Sequence, residues 1–136
     1  NMSAQEIVVV VTPEPTSITD AYALMKVMFQ KHGERRFRLL VNSVKSRKEG
    51  LEVYRKISLA AERFLSISVE YLGCVLQDDN VSRSVIRQRA VMELYPETKA
   101  SQCYQEIARE ICEQPVQNSL KGGMQFFWRQ LLKRTI

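Results

Sequence analysis

Histidine, cysteine and glycine are all scarce in this chain of 136 residues, and each scarcity removes a class of function. The single histidine, His32, stands at a predicted helix end with no nucleophile or carboxylate pattern near it, so no Ser/His/Asp or Cys/His set can be assembled and a structural cap is expected. The three cysteines, Cys74, Cys103 and Cys112, are odd in number and lack C-x-x-C spacing, which argues against a zinc site or a disulfide framework and reads as buried thiols in a reducing compartment. No G-x-x-x-x-G-K-[ST] loop occurs, nor any glycine-rich turn after a strand, and Gly122-Gly123 follows a linker instead. As written, the chain is not expected to hydrolyse anything. No apolar run approaches the roughly 20 residues a bilayer helix requires, and no signal-peptide pattern opens the chain, so a cytoplasmic protein is expected. Asn1 ahead of Met2 reads as foreign to the natural sequence, whose start or chosen boundary falls near Met2.

What is present is a core and a pattern. Hydrophobic residues make up 45% of the chain, enough for one ordinary domain. Ile7 to Val11 is an unbroken β-branched run, which predicts a strand buried on both faces of a parallel sheet. Pro13 and Pro15 cannot extend a ladder, so Thr12 to Thr16 is expected as a rigid loop. A helix follows, with Ser17 able to cap it and Asp20 in its first turn. Strand, stiff loop and helix start in that order make the place where open α/β sheets hold ligands.

The first helix presents Ile18, Ala21, Tyr22, Met25, Met28 and Phe29 at helical spacing and closes at Gly33, after Lys31 and His32. Phe37 to Val41 predicts a second strand running into Asn42-Ser43, and a helix over Lys48 to Leu65 carries Tyr54, Ile57, Ala61, Phe64 and Leu65. Val69 to Val75 predicts a third strand. The turn-forming Gln77-Asp78-Asp79-Asn80 can cap a helix through Val81, Val85 and Ile86 to Ala90, broken at Tyr95-Pro96. Thr98 can cap the next helix, whose Ala100, Tyr104, Ile107, Ala108 and Ile111 form one stripe. Alternating strands and helices are the grammar of right-handed βαβ units. The expected architecture is α/β: a partial doubly wound parallel sheet of about three to four strands flanked by helices, with a C-terminal amphipathic helix. Residues 1–114 read as the α/β unit, 115–123 as a linker and 124–136 as the terminal helix.

The net charge of +5 points to an acidic partner or to mere solubility. Basic residues concentrate at Arg35, Arg36, Arg38, Lys45, Arg47 and Lys48, and again in a tail with no acidic residue after Glu113. On that tail Met124, Phe127, Trp128, Leu131 and Leu132 share a helical face, with Arg129 and Lys133 opposite. Such a helix can lie in an anionic membrane interface or dock on protein, and the acid-free polar face and glycine hinge favour the membrane.

The segment Val8 to Lys26, with Leu39-Leu-Val-Asn42, Tyr71 to Val81, Arg87-Gln-Arg-Ala-Val91 with Tyr95-Pro96, and Gly122-Gly-Met-Gln-Phe-Phe-Trp128, resembles the second half of the MinD/ParA family of deviant-Walker ATPases. Within that family the likeness is to the flagellar-number regulators of the FlhG/FleN type, and it covers nearly the whole chain. The resemblance implies that the phosphate-binding loop and the magnesium-binding aspartates belong to a half not contained here, with ATP and Mg2+ as cofactors of the intact parent and none in this part. It implies adenine-side contacts from Asn42, Leu76, Gln77 and Asp78, though many relatives carry proline where this chain has Leu76. It implies a dimer and regulator face at Pro13, Glu14, Thr16, Ser17 and Asp20. Ser17 and Asp20 have a plainer alternative as caps, and Asn42 as a turn residue. The tail resembles the family's membrane-targeting helix, implying a cytoplasmic protein peripheral at the inner membrane. A flagellar transcription activator and the flagellar placement GTPase are the implied partners.

Two other readings compete: a stand-alone protein-interaction module without nucleotide, and a weak basic nucleic-acid binder acting through Arg35 to Lys48. Few aromatics interleave those basic residues, so nucleic acid is the weakest. A hydrophobic strand left at a sheet edge also predicts a homo-oligomer.

Overall fold

The computed structural model describes residues 6–113; the linker and the terminal-helix residues Met124 to Lys133 lie outside the described residues. The described chain runs β1 (Ile7–Val11), α1 (Pro15–His32), β2 (Arg36–Val44), α2 (Arg47–Leu65), β3 (Ser68–Leu76), α3 (Asp79–Ile86), α4 (Val91–Leu94) and α5 (Lys99–Glu113). The three strands form one all-parallel sheet in the order β1-β2-β3, so the α/β expectation holds.

Helices α1 and α2 cover one face. Met25 and Ala21 of α1, and Val53, Ile57 and Ala61 of α2, bury against Val9, Val11, Phe37, Leu39, Val41 and Val69. All six apolar positions read on α1 join this core or pack against it. On α2, however, Phe64 is exposed, because Leu65, one step round the helix, takes the buried place in the last turn. On the other face α5 covers the β3 side, where its Ala100, Cys103 and Ile107 bury with Leu72 and Val75 of β3.

Several local expectations are corrected. β1 is buried on one face only: Val9 and Val11 are covered, while Val8 and Val10 are 42% and 58% exposed, because α5 packs over β3 and does not reach them. The loop after β1 is shorter than read, since α1 already begins at Pro15, where a missing N–H costs a helix nothing. Ser17 does not cap α1. It lies inside the first turn and its hydroxyl accepts from the Thr12 N–H at 2.9 Å, folding the helix back onto the strand end. Asp20 lies beyond the first turn, which contains no acidic residue. The helix read as reaching Ala90 stops at Ile86; Gln88 adopts a left-handed φ of 56°, and a separate short α4 follows. At the other end of α1 the expectation holds: Gly33, at φ 70°, donates to the carbonyls of Met28 and Phe29.

Candidate functional site

Parallel pairing brings the carboxyl ends of all three strands to one side of the sheet. The register sets Val11 beside Val41 and Val44 beside Leu76. The loops that follow, Thr12–Glu14, Lys45–Ser46 and Gln77–Asp78, therefore line one edge, the location at which open α/β sheets bind ligands. Asn42, Leu76, Gln77 and Asp78 are brought together here, at the ends of the adjacent strands β2 and β3. Asn42 lies within β2, half-buried, so it is a strand residue and not a turn residue. Gln77 is exposed, and its N–H donates to the Val44 carbonyl at 2.7 Å, tying the loop after β3 to the end of β2.

Ser43 escaped the sequence reading. It sits next to Asn42 with a left-handed φ of 60°, at an irregularity in the β2–β3 register between Val41 and Val44. A non-glycine residue in that region costs about 1–2 kcal/mol, and such strain is concentrated at functional sites. The Asn-Ser pair that ends an apolar run was the only signal for it.

Asp78 has a structural role in this loop. One carboxylate oxygen accepts from the Asn80 N–H at 2.9 Å, at the start of α3. The other accepts from the Ala100 N–H at 2.9 Å and from the Thr98 hydroxyl at 2.6 Å, at the start of α5. Asn80 in turn donates its side-chain amide to Thr98 at 2.8 Å. Asp78 thus caps two helices at once, and the cap expected of Thr98 is supplied by Asp78 instead. Burial alone would push this carboxyl up, but the hydrogen bonds from Ala100, Thr98 and Asn80, with the charge of Lys99, outweigh it and hold the group below its ordinary range.

The residues expected at a subunit or regulator face divide in two. Pro13 and Glu14 form the loop tip, with the Thr12 hydroxyl 3.5 Å from a Glu14 carboxylate oxygen. Thr16, Ser17 and Asp20 border a cleft of about 360 Å³ along the open edge of β1, together with Val8, Val10 and Leu24.

The basic concentration around β2 is partly spent inside the fold. Arg38 is buried on the central strand, its guanidinium 3.6–3.9 Å from carboxylates of Glu6, Glu70 and Glu110. Arg47 makes a bidentate pair with Glu106, at 2.9 and 3.3 Å, and that hydrogen bonding raises its pKa. Two of the six cations counted toward nucleic acid therefore already have acidic partners.

A family model described as 4Fe-4S iron sulfur cluster binding proteins, NifH/frxC family, matches residues 1–122. The chain is 39% identical over 131 residues to the antiactivator FleN of Pseudomonas aeruginosa, covering 96% of this chain and 47% of that protein. It is 30% identical over 131 residues to the flagellum site-determining protein YlxH of Helicobacter pylori, covering 93% of this chain and 44% of that one. The chain thus spans about half the length of these curated relatives. A 4Fe-4S cluster requires converging cysteine thiolates. Here Cys74 packs with the α1/α2 core and Cys103 on the α5 side of the sheet, and among the described residues no three His, Cys, Asp or Glu side chains converge on a metal position. The described residues do not fit such a cluster.

Proposed function

We propose that this chain, which belongs to the NifH/frxC family and is similar to flagellar-number regulators, is the adenine-side, C-terminal half of a MinD-like ATPase that controls flagellar number or placement. The observation that carries this reading is the convergence of Asn42, Leu76 and Gln77 at the carboxyl ends of adjacent parallel strands. Asn42 offers a donor and an acceptor on one side chain, which suits the edge of an adenine. Leu76 supplies an apolar surface for the base, and Gln77 is held in place by its bond to Val44. Asp78 acts behind them, fixing the loop and not touching the base. Because the chain has no Walker loop, the phosphate and magnesium chemistry of ATP falls to the other half of the polypeptide.

The same reading gives Pro13 and Glu14 to the subunit face of a nucleotide-dependent homodimer. It gives the apolar tail face of Met124, Phe127, Trp128, Leu131 and Leu132, with Arg129 and Lys133, to an anionic membrane surface. The partners are a flagellar transcription activator and the placement GTPase, in keeping with the names antiactivator and site-determining protein that the relatives bear. The test is nucleotide affinity of the full-length polypeptide. Asn42→Ala should weaken binding of an adenine nucleotide by roughly tenfold, the worth of one to two hydrogen bonds to the base. Unchanged affinity in the folded variant overturns the assignment of Asn42.

A further inference from the structure

Among the large apolar side chains of the described residues Ile86 is the most exposed, at 81%, and Val85 beside it is 63% exposed. Both stand in the last turn of α3, and fraying does not account for their exposure, because that end of the helix is closed by backbone bonds. The Arg87 N–H donates to the Arg83 carbonyl at 3.2 Å, that of Gln88 to Val85 at 3.0 Å and that of Arg89 to Ser84 at 3.1 Å. Gln88 holds a left-handed φ of 56°, a backbone conformation that glutamine seldom adopts. Beneath the turn Ser84 is buried, and its hydroxyl donates to the Asn80 carbonyl at 2.8 Å. A strained but well-bonded turn thus holds two bare aliphatic side chains in solvent, and strain of this kind gathers at functional sites.

Three arginines flank the pair. Arg83 and Arg87 stand one helical turn apart, and the closing turn brings Arg89 back beside Val85. The Asn80 side-chain oxygen steadies Arg83 at 2.8 Å, and Arg89 pairs with Glu93 at 2.7 Å. Arg87 makes no ion pair among the described residues. Residues 81–95 contain no lysine and include Met92 and Tyr95, both half-buried. Arginine, methionine and tyrosine are enriched in protein interfaces and lysine is depleted there. Anionic lipid is a poorer match, since the same segment carries the exposed carboxylates of Asp79, Glu93 and Glu97, which a negative surface repels. A second copy of the chain is no better, because a two-fold contact sets these arginines against themselves.

We propose that α3 and the turn leading into α4 form a docking surface for an acidic amphipathic helix of a partner protein. An apolar side chain of that helix covers Val85 and Ile86, and two of its carboxylates meet Arg83 and Arg87. The spacing fits: positions i and i+4 lie about 5–6 Å apart on any helix, so a partner with carboxylates one turn apart engages both guanidinium groups at once. A planar guanidinium binds a carboxylate through two parallel hydrogen bonds, which makes these contacts directional. The aliphatic pair supplies the apolar centre of the contact, and the arginines supply its polar rim and its selectivity.

The experiment places a photoreactive phenylalanine analogue at position 85 of the full-length polypeptide, in the cells that make it, and identifies what illumination joins to it. The expected adduct is a helical segment of another protein, with carboxylates at i and i+4 beside an apolar residue. A synthetic peptide of that segment should bind the purified full-length polypeptide, and Ile86→Ser and Arg87→Glu should each weaken it by roughly tenfold or more. Both side chains are exposed, so the two variants should melt with the wild type. The same peptide with its two carboxylates replaced by lysine should prefer the double variant Arg83→Glu, Arg87→Glu over the wild type. Adducts confined to a second copy of the chain or to lipid overturn the proposal. So do the absence of any adduct, a joined segment without acidic residues, and a peptide affinity that Arg87→Glu leaves unchanged. Nucleotide takes no part in these readouts, so failure of the adenine assignment at Asn42 leaves this inference standing, and the reverse holds too.

Discussion

At the residue scale, Asp78 shows how one side chain can hold distant segments of the chain together. Its two oxygens hold the first turns of α3 and α5, and the Thr98 hydroxyl joins the same knot. Asp78→Ala removes both caps and should destabilise the protein by about 1–3 kcal/mol, the range for losing one to two caps, as measured by denaturant unfolding. The pH dependence has a definite sign. Because the folded-state pKa lies below the unfolded one, Asp78 contributes stability above the ordinary aspartate pKa of about 4, and loses it as pH falls through the lower folded value. The stability gap between the wild type and Asp78→Asn should therefore narrow below about pH 4, and a gap that stays constant would show that the ionised form is not what matters. From sequence the residue was legible as one of the turn-and-cap cluster Gln77-Asp78-Asp79-Asn80 ahead of α3. Its hold on α5 was not, because Ala100 and Thr98 lie about twenty positions away and no periodicity links them.

At the element scale, α2 approaches β3 closely at one point. Gly50 sits in the first turns of α2, and a Cβ there would lie 2.7 Å from the Tyr71 hydroxyl and 2.8 Å from the Cys74 Cβ. The glycine lets the helix approach the strand at that distance. Gly50→Ala would gain roughly 1 kcal/mol of helix propensity and lose more than that to overpacking, for a net destabilisation of about 1–2 kcal/mol. The Tyr71 hydroxyl is buried without a hydrogen-bond partner, and burial, together with Cys74 beside it, pushes the phenol well above its ordinary pKa. Tyr71→Phe removes that unsatisfied oxygen, so it should be nearly neutral alone and should restore part of the loss in the Gly50→Ala background. A double mutant no better than Gly50→Ala alone would place the strain at Cys74. Helical periodicity identified α1, α2 and α5 and seven of their eleven buried positions, missing Gly50, Val53, Ser101 and Cys103, because period and burial are coupled within a single element but small and polar residues carry little of that signal. It could not show how closely two elements approach, so Gly50 looked only like a weak point in a helix.

At the scale of the whole molecule, the reading as half of a regulator makes a separate claim for the tail. In vesicle sedimentation with anionic lipid, the full-length polypeptide should pellet and a version lacking residues 121–136 should remain in the supernatant, with binding that weakens as salt rises. Equal binding by both removes the membrane role. Within the described residues no helix is long and apolar enough to cross a membrane. The basic character that first suggested nucleic acid lost force at this scale too. Arg38, which looked like a surface cation in the sequence, is enclosed by Glu6, Glu70 and Glu110 from β1's flank, β3 and α5. The guanidinium is buried while the carboxylates of Glu70 and Glu110 stay largely exposed, so this cation joins elements and is not presented to a polyanion.

By itself the sequence determined the order of strands and helices, the parallel sheet, the faces that α1 and α5 bury, and the closure of α1 at Gly33. These follow from short-range patterns: β-branched runs, helical spacing, and the conformational freedom of one glycine. Only the tertiary structure decided which oxygen of Asp78 holds which helix, that Ser17 bonds the strand end instead of capping its helix, and that Arg38 lies inside. It also decided that the two edges of the sheet differ, one blunted by a bulge and charge, the other left as a bare β-branched strand. Each of these depends on groups far apart in the chain meeting in space, and local patterns of polarity do not record which distant partner a side chain will meet.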